Sequence, residues 1–310
     1  MTSEPALVFR NVRRTFGRTV ALDGLDLTVA PGTVLGLVGR NGAGKTTTLR
    51  LALGDLWPDS GEVRVVGLDP TREELAVRER VALLSEENHL YAWMTIEEIL
   101  RFTGKIHPRW DADFAARLVR RLELPLGAKI ETLSRGNRVR VALVLAVAAR
   151  PDLLLLDDPT SGLDPLARRE VLEGLLEAIL EEGHAVVWAS HLVHDLERVA
   201  DRVAVIDDGR LLLEEDVESL RERVRAVTAV FDGEAPELAD LPGRLRLRRS
   251  ARVIEAIADA PEERLRAALR AAGARTVDFQ SLSLEDILVA LLGRDELAAA
   301  RNGGEEVAHA

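Results

Sequence analysis

The segment GRNGAGKT at residues 39–46 has the residue types and spacing that hold phosphate groups, G-x-x-x-x-G-K-[ST]. It follows the apolar segment TVLGLV and precedes TTLRLALG, which is typical of a helix. Glycines allow successive backbone N–H groups to surround phosphate oxygens, and the positive end of the following helix attracts the same charge. This context predicts a loop that binds a nucleoside triphosphate.

Each position of this phosphate loop has an expected role. Lys45 would reach the β- and γ-phosphates, and the Thr46 hydroxyl is a hard oxygen ligand for Mg²⁺. A second segment, LLLLDDP, ends an apolar run in two acids, and Asp157 at the end of a buried strand can hold Mg²⁺ opposite Thr46. The predicted nucleotide-binding residues of the loop are Gly39, Asn41, Gly42, Ala43, Gly44, Lys45, Thr46 and Thr47.

The elements that must position these residues follow from the apolar patterning. TVLGLVG, LLLL at 153–156 and AVVWAS at 185–190 are apolar on both faces and border helical patterns, which predicts a buried parallel sheet in an α/β core. Residues 1–30 and the segment EVRVVG alternate like short antiparallel strands. Helical periodicity without strands predicts an inserted helical subdomain at about residues 90–150.

Beyond about residue 215 the pattern changes. AVTAVFDG and GRLRLRRS are typical of strands, and EERLRAALRAAG and LEDILVALLG are typical of helices. We therefore predict a small accessory α+β domain at residues 216–298, after a first domain at residues 1–215. The tail at residues 299–310 is polar and is expected to be disordered.

The composition argues against several classes of protein. The chain has 310 residues and a net charge of −11, which disfavours a nucleic-acid partner because binding along a duplex requires clustered Lys and Arg. The absence of cysteine excludes disulfides, thiolate nucleophiles and zinc–sulfur sites. The N-terminus lacks the apolar core of a signal peptide, and the longest apolar run, VALVLAVAA, is less than half of the about 20 residues that span a bilayer. We expect a chain that does not cross a membrane by itself.

Four further segments occur in order with the phosphate loop: LSRGN at residues 133–137, LLLLDDP, SGLD at 161–164 and ASH at 189–191. Together they resemble the motifs of ATP-binding cassette (ABC) ATPases over residues 6 to about 215. The resemblance implies a P-loop NTPase core with an antiparallel β subdomain and an inserted helical subdomain, with ATP and Mg²⁺ as cofactors. It also implies two partners: a second ATPase subunit, in a homodimer or a heterodimer, and transmembrane permease subunits.

LSRGN resembles the signature loop of the family, whose Ser134 and Gly136 would contact the γ-phosphate bound on the opposite subunit. Arg135 and Asn137 depart from the common Gly and Gln, and the Arg135 head group is either solvated or in direct contact with phosphate. SGLD resembles the D-loop, which crosses the dimer interface with Asp164 as a polar contact. Because the site is completed in trans and the chain has one phosphate loop, we expect a dimer.

Asp158 takes the place of a glutamate that polarises the attacking water in the family. Aspartate is about 1–1.5 Å shorter, and a misplacement of that order costs roughly 100-fold in rate unless a backbone shift compensates. His191 resembles the switch histidine that hydrogen-bonds the γ-phosphate, although a lone histidine at a strand end is more often structural. The remaining histidines, such as His184 and His194, are expected at the surface.

Two further site residues rest on the resemblance. Phe16 lies where the family places an aromatic ring that stacks on adenine, with Val20 beside the base, or else it packs in the core of a small sheet. Glu86 stands near the position of the family's glutamine, after a strand at about residues 81–84. Its carboxylate can still ligate Mg²⁺ but adds negative charge, and we assign it both a catalytic and a metal-binding role.

ENHLYAWMTIEEILRF and IHPRWD resemble a subgroup of bacterial exporter ATPases related to bacitracin-resistance and acetoin-type transporters, in which an LS[KR]GN signature is common. Tyr91, Trp93 and Met94 would form the groove for a permease helix, or else the core of the helical subdomain. The prediction is the ATP-hydrolysing subunit of a bacterial exporter, cytoplasmic and peripheral on the inner face of the cell membrane. The alternative is an ATP-binding dimerisation switch with little hydrolysis. The transported substrate is not readable, because the permease selects it.

Overall fold

The computed structural model describes residues 4–85, 90–182, 184–238 and 240–292. By its internal contacts the chain divides into two compact units. The larger unit is Met1–His191 with Arg202–Glu214, and the smaller unit is Leu192–Asp201 with Glu215–Ala310.

Strands and helices alternate along much of the chain. The strands are β1 (Leu7–Phe16), β2 (Thr19–Val29), β3 (Val34–Val38), β4 (Ser60–Val65), β5 (Val81–Leu84), β6 (Leu153–Asp157), β7 (Ala185–Ser190), β8 (Arg202–Asp207), β9 (Arg210–Asp216), β10 (Val224–Phe231), β11 (Arg244–Arg249), β12 (Val253–Asp259) and β13 (Ala274–Gln280). The helices are α1 (Lys45–Leu53), α2 (Glu74–Arg78), α3 (Ile96–Ile106), α4 (Ala112–Arg121), α5 (Arg135–Ala148), α6 (Pro165–Glu182), α7 (Val193–Leu196), α8 (Val217–Arg223), α9 (Glu262–Ala271) and α10 (Leu284–Leu292).

The central sheet of the larger unit has the strand order β5-β6-β7-β3-β8-β9. Neighbouring strands from β5 to β8 are parallel, and β3, β6 and β7 are almost wholly buried, as strands covered on both faces must be. The predicted α/β core with a parallel sheet is confirmed. The carboxyl ends of parallel strands lie at one edge of the sheet, so the segments that follow β3, β6 and β7 meet there.

A second sheet, of order β2-β1-β4, is antiparallel, as predicted for the N-terminal strands. Apolar side chains of both sheets and of α1 share one core, which includes Phe9, Leu27, Leu37, Leu49 and Leu155. Each of these residues is at most 2% exposed. The shared core holds α1, and therefore the loop that precedes it, against the edge of the central sheet.

Helices α3, α4 and α5 lie between β5 and β6 in the chain. Thr95 begins α3 with a capping box, in which its hydroxyl accepts from the Glu98 amide (3.2 Å) and the Glu98 carboxylate accepts from the Thr95 amide (2.8 Å). Helix α5 contains all but the last residue of the run VALVLAVAA, and most of this run is buried in the protein. Among the described residues, no helix has the length and apolar character needed to span a membrane.

The smaller unit contains an antiparallel sheet of order β11-β12-β10-β13, with α9 packed against β13. The apolar patterning does not reveal β12 and β13. β12 buries Ala256 and Ala258 beside Ile254, and alanine is a weak strand former. Four of the seven residues of β13 are exposed, so its apolar alternation is weak.

Residues 192–201 follow β7 in the chain but belong to the smaller unit. Glu197 Oε1 accepts from Nη2 of Arg221 (2.9 Å) and from the amide of Leu284 (3.1 Å). These bonds join the segment to α8 and to the start of α10. The predicted boundary at residue 215 does not indicate that residues 192–201 belong to the smaller unit. Their contacts with Arg221 and Leu284 join segments that are far apart in the chain.

Candidate functional site

The segments that carry the predicted chemistry meet at the carboxyl edge of the central sheet. The phosphate loop, residues 39–46, follows β3, whereas Asp157 ends β6, Asp158 follows it and His191 follows β7. Because β6, β7 and β3 are consecutive neighbours in the sheet, these segments lie side by side. The amide of Asp158 donates to the carbonyl of Ala189 (2.9 Å), which ties the end of β6 to β7. A ligand at this edge can therefore contact all of these segments.

The backbone of the phosphate loop depends on glycine. Gly44, directly before α1, has a φ of 108°, and a Cβ atom there would lie 2.6 Å from the carbonyl oxygen of Ala21. Gly42 has a φ of 84°, which residues with a side chain rarely adopt. Of the other predicted loop residues, Gly39 and Ala43 are buried, Thr47 is half-buried, and Asn41 and Thr46 are exposed.

Lys45 is buried inside its own loop. The residue is 6% exposed, and Nζ donates to the carbonyls of Gly39 (2.7 Å) and Arg40 (3.1 Å). Burial lowers the pKa of Lys45, and the negative charges of Asp158 and Asp157 counteract part of this shift. The ammonium group therefore interacts with the charges of both acids at the end of β6. A bound phosphate would have to replace the two carbonyls as the acceptor of its hydrogen bonds.

Asp158 and His191 form a hydrogen-bonded pair. Asp158 Oδ1 lies 2.9 Å from His191 Nδ1, and it also accepts from the His191 amide (3.2 Å) and from the Ser190 hydroxyl (3.0 Å). The side chains of Asp158 and His191 are 17% and 34% exposed, so solvent screens the pair only in part. With Nδ1 engaged, His191 would meet a ligand through Nε2.

The ionisation of Asp158 follows from this contact. Burial raises the pKa of Asp158, but the hydrogen bonds and charge of His191, with a contribution from Lys45, outweigh burial and lower the pKa overall. Asp158 is therefore a carboxylate at neutral pH, and its Oδ1 accepts a hydrogen bond from the N–H group at Nδ1 of His191. The motifs give no sign of this pair. The signal that could have found it is the position of both residues directly after neighbouring parallel strands.

Two oxygen ligands at this edge, Asp157 and Thr46, suit Mg²⁺. Asp157 is half-buried at the end of β6, and Thr46 is exposed in the first turn of α1. In the described part of the chain, no group of three or more His, Asp or Glu side chains could hold a metal ion alone. Mg²⁺ usually binds through one or two protein ligands plus substrate phosphates, so these residues fit it together with a nucleotide. Glu86, the third predicted ligand, lies outside the described residues.

The signature loop and the D-loop are neighbours within the chain. Ser134 caps α5, since its Oγ accepts from the amide of Asn137 (3.2 Å), and Gly136 is buried. Arg135 is exposed, but its guanidinium lies beside Gly162, where an added Cβ atom would be 2.7 Å from Cζ of Arg135. The sequence suggested either a solvated head group or a phosphate contact for Arg135, and it did not predict this position beside Gly162.

Several large side chains with predicted contacts are exposed. Phe16 is 45% exposed and Val20 40%, so the alternative that Phe16 packs in a sheet core is wrong. The guanidinium of Arg14 lies over the Phe16 ring, 4.8 Å from its centroid. Tyr91 and Trp93 are 49% and 64% exposed, with ring centroids 6.2 Å apart, so these two do not form the core of the helical subdomain.

His184 is buried, so the expectation of a surface position is wrong. It is 8% exposed, and within the described residues its Nε2 has no hydrogen-bond partner. Burial lowers the pKa of His184, although a hydrogen bond to the Pro151 carbonyl acts in the opposite direction. His194 is exposed as expected, with 76% of its side chain accessible.

Several known proteins are similar to this chain in sequence. A family model described as ABC transporter matches residues 22–161. The Nod factor export ATP-binding protein I of Cupriavidus metallidurans is 34% identical over 300 residues, which covers 93% of this chain and 98% of that protein. The ABC transporter ATP-binding protein YtrB of Bacillus subtilis is 31% identical over 223 residues, which covers 72% of this chain and 76% of that protein.

A solved structure shows the same fold. Described as the ATP binding subunit of an ABC transporter, it superposes with a TM-score of 0.63 at 27% identity, covering 70% of this chain and 92% of that chain. The similarity to the Cupriavidus protein extends over more of the chain than the larger unit alone contains. The smaller unit is therefore part of what the two proteins have in common.

Proposed function

Because this chain belongs to the family of ABC transporter ATP-binding subunits, we propose that it hydrolyses ATP and drives a separately encoded permease through ATP-dependent closure of two subunits. The observation that carries this proposal is the meeting of the phosphate loop, Asp157, Asp158 and His191 at one edge of the central sheet. Nucleotides bind at the carboxyl edge of such sheets. Membership of this family, together with a phosphate loop at the carboxyl edge of the sheet, supports an ATPase rather than a protein that only binds anions.

ATP would enter the loop by displacement. The Lys45 ammonium would exchange its contacts with the Gly39 and Arg40 carbonyls for β- and γ-phosphate oxygens, while the start of α1 directs its N–H groups at the same phosphates. We assign Thr46 and Asp157 as ligands of Mg²⁺, with Glu86 as a further one. When bound, the ion neutralises charge on the phosphates.

Hydrolysis would depend on the Asp158–His191 pair. The ionised Asp158 fixes the imidazole ring through Nδ1, which leaves Nε2 to contact the γ-phosphate. The carboxylate would also orient the attacking water, and a reaction of this type needs positioning and charge stabilisation rather than a covalent intermediate.

A second subunit would complete each site. Ser134 and Gly136 stand at the N-terminus of α5, a helix of 14 residues, and this end can contact a phosphate bound on the opposite chain. Asp164 of the D-loop would make polar contacts across the same interface. The dimer would close on ATP and open after hydrolysis.

A groove in the larger unit is suited to a permease helix. Its volume is about 460 Å³, and its lining includes Leu83, Leu90, Thr103 and His107. Next to Leu90 in the chain stand the exposed Tyr91 and Trp93, and Met94 is half-buried. Bound to a permease in this way, the subunit would be peripheral on the cytoplasmic face of the cell membrane. We infer export as its direction, since the relative from Cupriavidus is described as an export protein.

A dimerisation switch with little hydrolysis is the second candidate. The observation that favours it is that Oδ1 of Asp158 already accepts three hydrogen bonds, from Ser190 and His191. A carboxylate that accepts three hydrogen bonds is a weaker base, and these bonds would keep it from orienting the attacking water. Turnover by the purified chain separates the two candidates.

The test is the rate of Mg-ATP hydrolysis per subunit as the concentration of the chain increases. For a site completed in trans, we expect the rate per subunit to rise with concentration and to vanish when Mg²⁺ is chelated. A Lys45→Ala variant supplies the blank. ATP binding and dimerisation without turnover would favour the switch, and failure of the wild-type chain to bind ATP would refute both.

Phe16→Ala is expected to raise the KM for ATP about fivefold to tenfold with little change in kcat. Stacking of a base on an aromatic ring contributes about 1–3 kcal/mol, and it acts on binding rather than on the reacting phosphate. Steady-state kinetics of both variants measures the effect, with Trp57→Ala as the control because Trp57 is another exposed aromatic residue, 64% accessible. Equal KM values for Phe16→Ala and Trp57→Ala would argue against stacking.

A further inference from the structure

The Arg135 side chain is a feature of the signature loop that the proposed function does not use. It stands at the first position of α5, directly after the capping residue Ser134. Its guanidinium occupies the space beside Gly162, since a Cβ atom there would lie 2.7 Å from Cζ and 3.1 Å from Nη2 of Arg135. Gly162 also has a φ of 65°. The positive φ therefore favours glycine at this position, and a Cβ atom there would displace the guanidinium from where it lies.

Other contacts between α5 and α6 hold these two loops in the same arrangement. Gly136 is buried, and a Cβ atom there would lie 3.1 Å from Cβ of Ala167. Arg140 forms an ion pair with Glu170 one turn further along. Asp164 caps the start of α6, because its Oδ1 accepts from the Ala167 amide (3.0 Å). The signature loop and the D-loop are therefore attached to two helices that pack closely together.

A short path leads from Gly162 to the acid that faces the γ-phosphate in the proposed mechanism. The amide of Ser161 donates to the carbonyl of Asp158 (3.0 Å), so the D-loop folds back on the end of β6. The amide of Leu163 donates to the carbonyl of Thr160 (3.3 Å) in the same turn. A displacement of Gly162 would thus be passed to Asp158 through a tight turn.

We propose that Arg135 is a positioning residue, which couples the signature loop to the D-loop of its own chain and so holds the turn that carries Asp158. The inference rests on the proposed function, because it assigns a role in the same hydrolytic site. When the signature loop contacts ATP bound on the opposite subunit, Arg135 would transmit this contact to Asp158 of its own subunit. A guanidinium suits this role because it is planar and presents several N–H donors in a rigid arrangement.

The experiment compares Arg135→Ala, Arg135→Lys and the matched control Arg138→Ala. Arg138 is exposed in the same first turn of α5, and it donates to the carbonyl of Glu131 instead (3.1 Å). We expect kcat to fall about 10-fold in Arg135→Ala with KM for ATP within about twofold, because a small misplacement affects chemistry more than binding. Arg135→Lys should recover part of the loss, and Arg138→Ala should match the wild type.

A double-mutant cycle with Gly162→Ala tests the contact itself. In the wild-type background this substitution should lower kcat, partly through the positive φ of residue 162 and partly by displacing the guanidinium. In the Arg135→Ala background only the effect of the positive φ remains, so the further loss of kcat should be smaller. Unchanged midpoints of thermal unfolding show that the variants fold.

Three results would overturn the inference: a raised KM with unchanged kcat, which indicates a direct phosphate contact; equal kcat in Arg135→Ala and the wild type; or additive losses in the cycle. The proposed function is judged on the wild-type chain alone. Lys45-dependent hydrolysis by the wild type together with any of these results retains that function and rejects the role of Arg135, whereas its absence rejects both.

Discussion

Replacement of Lys45 by alanine is expected to weaken Mg-ATP binding about 100-fold and to remove measurable hydrolysis. Each hydrogen bond between charged groups contributes about 1.5–3 kcal/mol, and the ammonium would lose its contacts with both the β- and γ-phosphates. About 3 kcal/mol corresponds to a factor of roughly 100 in the dissociation constant. Isothermal titration with Mg-ATP and steady-state turnover measure the two losses.

The fold is expected to survive this substitution. Lys45 is buried and its ammonium donates to the Gly39 and Arg40 carbonyls, so its removal eliminates a buried charge together with two hydrogen bonds. Saturation with ligand at 100 times its dissociation constant stabilises a protein by about 2.7 kcal/mol, a shift that Lys45→Ala should lose. Arg40→Ala is the control, because Arg40 is exposed in the same loop and should keep the ATP-dependent shift. A Lys45→Ala chain that ATP stabilises as well as the wild type would contradict this role.

The phosphate loop and the parallel sheet were readable because their signals are local. A glycine-rich loop between an apolar strand and a helix is contiguous in sequence, and a strand buried on both faces is apolar throughout. The position of Asp157 and His191 at one edge also follows, since each stands at or after the end of a parallel strand.

The contacts that join these segments were not readable from the motifs. The bond between Asp158 and His191 depends on β6 and β7 being adjacent, which the strand order decides. The approach of Arg135 to Gly162 depends on how α5 packs on α6. Both contacts result from packing between segments that are far apart in the chain. A pattern of residue types along the chain does not predict the distance between such segments. For the same reason His184 looked like a surface residue although it is buried.

Asp158→Asn is expected to lower kcat at least about 100-fold while KM for ATP changes by less than about threefold. The amide keeps the size of the side chain but removes the negative charge that, in the proposed mechanism, orients the imidazole and the water, and acid–base groups of this kind contribute about 100-fold to 10,000-fold. Asp207→Asn is the matched control, since Asp207 ends β8 at the same edge of the sheet. A similar loss in both variants would point to the charge of the edge as a whole rather than to Asp158.

The Asp158→Glu variant then decides between the two proposed functions. The added methylene would move the carboxylate about 1.5 Å away from Ser190 and His191, and a misplacement of that size can cost roughly 100-fold. If the three bonds that Oδ1 accepts at 2.9–3.2 Å hold a working carboxylate in place, as the proposed hydrolysis requires, turnover should fall in this variant, and this is the result we expect. A large gain in turnover would instead mean that the native side chain is too short for hydrolysis, which would favour the dimerisation switch. Single-turnover hydrolysis at saturating Mg-ATP distinguishes these results, because it measures the chemical step separately from product release.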